Sequence, residues 1–195
     1  MVWYVSGAFG VLVFVFFVLI WLRKLQYDAV HQNFLDLVDE FGGEVLRGGF
    51  AVRPRYRGSY QGRAVSISIY SEKKEKGRAY YITVLMQLKA PATFTILSRQ
   101  WIGEKPVQNK EQRHLKELVG GAYLLEVSEK ESFGRLNIPQ LEHLIGKLEP
   151  FAYILVAKSR LILERVSSKL IDDTKIEVLK PLLEAMHQFC LVVES

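Results

Sequence analysis

The stretch Val2–Leu22, VWYVSGAFGVLVFVFFVLIWL, decides the architecture of this chain. Its 21 residues carry no charge, and 18 of them are hydrophobic. As an α-helix rising 1.5 Å per residue, it reaches roughly 31 Å, enough to cross the hydrocarbon core of a bilayer. Trp3 and Tyr4 stand near one end and Trp21 near the other, and Arg23 and Lys24 follow directly. Aromatic rings and cations at those positions act as interfacial anchors. A cleaved signal peptide fits poorly: no Lys or Arg precedes the run, the run is long, and no small-x-small cleavage site follows. The sequence predicts a retained transmembrane anchor over residues 1–24.

Only the α-amino group precedes the run, whereas two cations follow it. The positive-inside rule predicts Met1 outside and the carboxyl side in the cytoplasm, at the inner membrane. A lone cysteine, Cys190, agrees with a reducing compartment. The span lacks His, Asp, Glu, Lys and Arg, so by itself it offers no proton relay, ion path or haem ligand. Ser6 and Gly10 form a small-x-x-x-small pair where a second membrane helix can pack closely, although chance spacing in a Gly-containing apolar helix is the favoured reading of the pair.

Beyond the anchor the chain reads as an ordinary water-soluble domain. All 47 charges (26 basic, 21 acidic, net +5) fall in the last 173 residues, about 27% of them. No Pro or Gly occurs between Val11 and Phe41, and Val30, Phe34, Leu37 and Phe41 recur at helical spacing. A helical stalk over 25–43, stopped by Gly42-Gly43, is expected. Its apolar stripe must pack on its own domain or on a partner.

From Glu44 the period changes. Arg63–Tyr70 alternates, Arg78–Leu88 is a second β run, and the charged Ser71–Gly77 connects them. Ala92–Ser98, Tyr123–Val127 and a late hairpin of Phe151–Ala157 with Arg160–Val166 follow. Helices are expected from Asn109 to Gly120-Gly121, from Ile138 to Leu148, and from Thr174 to Val193 with Thr174 and Glu177 as a capping box. The expected fold is α+β: an antiparallel β-meander with packed helices, residues 44–195, behind the anchor and stalk.

Charge is concentrated. Residues 44–90 hold 10 basic and 3 acidic side chains, net +7, while residues 1–43 are net −2 and the rest balances. Arg53, Arg55 and Arg57 share one face of an extended segment, with Arg63 beside them and Lys73, Lys74 and Lys76 on the next hairpin. They form the candidate face for a polyanion or a partner. Anionic headgroups are one fitting target for a tethered domain. A solvated edge strand is the plain alternative. Nucleic acid is a weaker third, because tyrosines interleave but no recognised binding motif is present.

No catalytic signature is found. His31, His114, His143 and His187 have no ligand spacing, and no nucleophile elbow, phosphate loop or dinucleotide fingerprint occurs. Cys190 lies on the apolar stripe of the last helix and reads as a packed thiol. No cofactor and no metal site is expected.

The turn Gly58, Tyr60, Gly62, Arg63 in RPRYRGSYQGR resembles the G-x-Y-x-G-R motif of a bacterial family of membrane-anchored α+β domains of unknown function. The resemblance implies a late hairpin and a closing helix, and it supplies no catalytic residues. The expectation is a non-enzymatic, single-pass accessory or scaffold subunit of a membrane protein complex. A module that binds anionic lipid through its basic strand face is the alternative.

Overall fold

The computed structural model describes residues 2–74, 77–102, 114–127, 134 and 136–195. Helix α1, Val2–Phe41, runs unbroken through the apolar run and the segment read as a stalk. No proline interrupts its amide ladder, and Gly42 closes it by donating its N–H to the Val38 carbonyl at 2.8 Å. Among the described residues one helix, near the N-terminus, is long and apolar enough to cross a membrane. Its second half does not stand free: Tyr27, Val30, Phe34 and Leu37, one helical stripe, are fully buried in the core.

Among the described residues nine strands form one sheet: β1 Glu44–Leu46, β2 Arg55–Tyr60, β3 Arg63–Lys74, β4 Gly77–Gln87, β5 Phe94–Ser98, β6 His114–Leu118, β7 Tyr123–Val127, β8 Tyr153–Ala157 and β9 Arg160–Ser167. The spatial order is β1-β2-β3-β4-β9-β8-β5-β7-β6, and every neighbouring pair is antiparallel. Strands β1 to β4 are a meander. The late hairpin β8–β9 then enters the middle of the sheet, pairing with β4 on one side and β5 on the other. The α+β architecture follows, with helices α3 (Ile138–Leu148) and α5 (Ile176–Glu194) joining the buried stripe of α1 over a single core.

The other helices are single turns, α2 Arg99–Ile102 and α4 Leu170–Asp173. Helix α3 starts where Asn137 accepts a hydrogen bond from the Gln140 amide, with Pro139 in the first turn.

Three local expectations are corrected. His114–Leu118 is strand β6, not helix, paired with β7 in the register Leu118↔Tyr123. The Gly120-Gly121 pair belongs to the tight turn between these strands rather than to a helix end; residues 109–113 of the expected helix lie outside the described residues. The Ser71–Gly77 connection shortens, because β3 and β4 stay paired out to Lys74↔Gly77. Thr174 does not cap α5, whose N-cap is Lys175 without a side-chain bond. Its buried hydroxyl donates instead to the Leu170 carbonyl at 2.8 Å and accepts from Asn33 on α1 at 2.9 Å.

Candidate interaction surfaces

The glycine-tyrosine turn is a docking device for α5. Tyr60 and Arg63 close a two-residue hairpin whose centre, Gln61-Gly62, has φ values of 47° and 79°. Two consecutive positive φ values define a type I′ turn, which matches strand twist and favours Gly second. At Gly58 a Cβ would overlap the Tyr56 hydroxyl and the Gly42 carbonyl. The missing side chain lets Tyr56 donate to Gly42 at 2.8 Å and pins the end of α1 on β2. Tyr60 donates to Glu184 on α5 at 2.6 Å, and burial together with that carboxylate pushes its phenol up to about 12. Arg63 holds Glu194 with both terminal nitrogens, at 2.8 and 2.7 Å.

The basic residues singled out in the sequence therefore separate. Arg63 is spent on Glu194 and stands at the opposite end of β3 from Lys73, roughly 33 Å along the strand. Arg53 precedes β2 and bonds the Tyr27 hydroxyl at 3.2 Å and Ser71 at 2.6 Å. Arg55 and Arg57 are exposed on β2 and make no ion pair among the described residues. Lys73 is exposed on β3, the Lys74 side chain is outside the described residues, and so is Lys76. Around the start of the soluble part, Asp28 joins Lys24 at 2.5 Å and Arg47 at 2.6 Å. Lys24 also lies over the rings of Trp21 and Phe50, 5.7 Å from each centroid. Trp3, Tyr4, Ser6 and Gly10 lie in α1. Gly10 is exposed, and the side chains of the other three are outside the described residues.

Strand alternation puts the core on one face of the sheet, and among the described residues no helix covers the other. Register lays out that open face. Arg57, Ser66, Leu85, Ile162, Leu155, Thr95, Glu126 and Leu115 lie in one cross-strand row; Arg55, Ser68, Thr83, Glu164, Tyr153, Leu97, Leu124 and Glu117 lie in the next. Val166, Tyr70 and Leu115 are exposed at its margins, and Trp101 of α2 stands 5.9 Å from the Tyr153 ring. Beside Trp101 a hollow of about 370 Å³ opens between Ser98, Pro150, Phe151 and Val166.

One carboxylate sits at the centre of this face. Glu164 is only 3% exposed. Tyr70 donates a hydrogen bond to it, Tyr153 stands directly across from it on β8, and Tyr70 stacks on Tyr81 at 4.7 Å. Burial is the first cause raising both phenols and the Glu164 charge the second, Tyr153 to about 12. Both phenols therefore stay protonated at neutral pH, and Tyr70 is a donor to Glu164. Sequence reading missed this cluster, because Tyr70, Tyr153 and Glu164 come from three strands. The visible signal was a glutamate inside the apolar run of β9.

Cys190 is fully buried on α5, and burial pushes its thiol up to about 12. His143 is exposed on α3, His114 is exposed on β6, and His187 is buried on α5. Among the described residues no group of three His, Cys, Asp or Glu side chains is placed to hold a metal.

No protein-family model and no curated protein matches the sequence. A solved structure does share the fold, the crystal structure of the mycobacterial trehalose monomycolate transport factor A, TtfA. The match has a TM-score of 0.58 at 10% identity and covers 84% of this chain and 93% of that one. It establishes the likeness of folds.

Proposed function

We propose that this chain is a membrane-anchored accessory subunit, held by α1 and docked to a membrane protein through the open face of its sheet. The observation that carries the reading is that face: leucine, isoleucine and tyrosine side chains in register across the sheet, with only Trp101 of the single-turn α2 against them among the described residues. A sheet face with an uncovered apolar strip gains by burying that strip against another surface. The rigid join between α1 and the core keeps the face at a fixed distance from the bilayer. Arg55 and Arg57 border it without ion-pair partners among the described residues, which favours a partner with an apolar strip and an acidic margin. The fold likeness to a protein named as a transport factor supports an accessory role. Arg23 and Lys24 support a cytoplasmic domain, and protease added to intact cells then leaves it whole.

Purification of the full chain in mild detergent tests the reading. A stoichiometric membrane protein is expected to accompany it. Val166→Asp and Leu115→Asp, both on exposed margins, are expected to release that partner with little change in thermal stability. A wild-type preparation that runs as a lone monomer overturns the proposal.

A further inference from the structure

A second surface lies where α1 leaves its apolar run. A groove of about 840 Å³, at the upper end of the range of small-molecule sites, separates α1 from the turn end of the β3–β4 hairpin. Leu19 and Leu22 line it from α1, Ile171 lines it from α4, and Arg78 and Tyr80 line it from β4. Arg23 stands in the same lining one residue past the apolar run. Leu19 and Leu22 are 60% and 56% exposed, so the domain leaves this part of the helix bare.

The depth of the groove identifies its occupant. Leu19 belongs to the apolar run, three residues before its end at Leu22. Arg78 shares a groove with it, so the turn end of the hairpin stands level with the last turn of the span. Of the nearby cations, Lys24 is committed to Asp28 and Arg53 to Tyr27 and Ser71, while Lys73 lies exposed directly across from Arg78 on β3. Arg78 is exposed and has no ion pair among the described residues, and Arg23 gives one N–H to Tyr27 at 3.4 Å. Two guanidinium groups on separate elements suit a phosphodiester, because planar donor forks pair with its oxygens. Leucines immediately below suit an acyl chain. A water-soluble anion gains nothing from the leucines, and a neutral lipid leaves the guanidinium charge uncompensated.

We propose that this groove holds one anionic phospholipid, its phosphate between Arg23 and Arg78 and an acyl chain along Leu19 and Leu22. The inference rests on α1 being a membrane span and is independent of the docking face. Its place is distinct from Arg55 and Arg57, which lie on the open side of the sheet.

Native mass spectrometry of the full chain, released from bilayer nanodiscs of equal phosphatidylglycerol and phosphatidylcholine, tests it. One retained phosphatidylglycerol per chain is expected, with a preference on the order of fivefold, as one added basic contact at a membrane surface gives. Arg78→Gln and the double change Arg23→Gln with Arg78→Gln are expected to erase the preference while the circular dichroism spectrum stays unchanged. Arg55→Gln with Arg57→Gln is expected to keep it. Equal retention of both lipids, or a preference that survives the double change or vanishes with the Arg55/Arg57 pair, overturns the groove assignment. Alkaline carbonate extraction of the same membranes checks the span separately. A chain released by carbonate refutes the anchor and the groove together; a chain that stays in the membrane without lipid preference refutes the groove alone.

Discussion

Arg63 belongs, in the sequence, to a segment of net charge +7, and its charge alone makes it a candidate for a polyanion. In the fold its guanidinium forks onto Glu194, 131 residues away, and Glu194 also accepts from the Lys89 amide at 2.7 Å. A bidentate, largely covered pair of this kind contributes about 1 kcal/mol. Arg63 holds the Glu194 carboxyl below its ordinary range. A depressed carboxyl stabilises the fold fully above its unfolded value of about 4.3, and the contribution is lost as pH falls through the folded value. Glu194→Gln is therefore expected to cost about 1 kcal/mol in denaturant unfolding at pH 7, and the gap to wild type should shrink as pH falls below the unfolded value of about 4.3. A gap of constant size across that range contradicts the pairing. Cys190 was legible from local pattern, since its burial follows from helical spacing. Arg63 and Glu164 were not, because their partners come from distant strands and helices.

The elements divide along the same line. Period and punctuation are local, so α1, β7, α3 and α5 could be read within a residue or two of their bounds. Strand β6 could not. HLKEL has no strict alternation, and only its pairing with β7 and the turn at Val119–Gly121 make it extended. Tertiary pairing overrides weak local preference here. The turn motif was seen as a motif, but its job, clamping α1, β2 and α5 together, needed the packing. Gly58→Ala tests that job. The new methyl displaces the Tyr56 hydroxyl from the Gly42 carbonyl, so a loss of about 2–4 kcal/mol is expected from overpacking plus the broken bond. Chemical denaturation measures it. A cost under about 0.5 kcal/mol, the size of a neutral surface change, means that the contact is idle.

For the whole molecule, the decisive join is between anchor and domain. The α+β character and the apolar run were plain in the sequence, whereas the place where the stripe of α1 is buried was not. Tyr27, Val30, Phe34 and Leu37 each bury a large side chain worth about 1.5–3 kcal/mol. Their sum, roughly 6–12 kcal/mol, rivals the entire stability of a typical domain. The stalk and the domain are thus one folding unit. A chain starting at residue 23 is expected to fold as a soluble protein with a cooperative thermal transition, and one starting at residue 43 to aggregate or stay molten. A cooperative transition in the shorter chain shows that the helix is dispensable.

The position of the β8–β9 hairpin has a consequence for synthesis. While the ribosome is still making residues up to 152, β4 and β5 have no central partners and each presents a bare ladder of amides and carbonyls. Such edges recruit stray strands from neighbouring chains. The nascent domain stays vulnerable until the hairpin emerges and fills the gap between them. By then the N-terminal helix has long since left the exit tunnel.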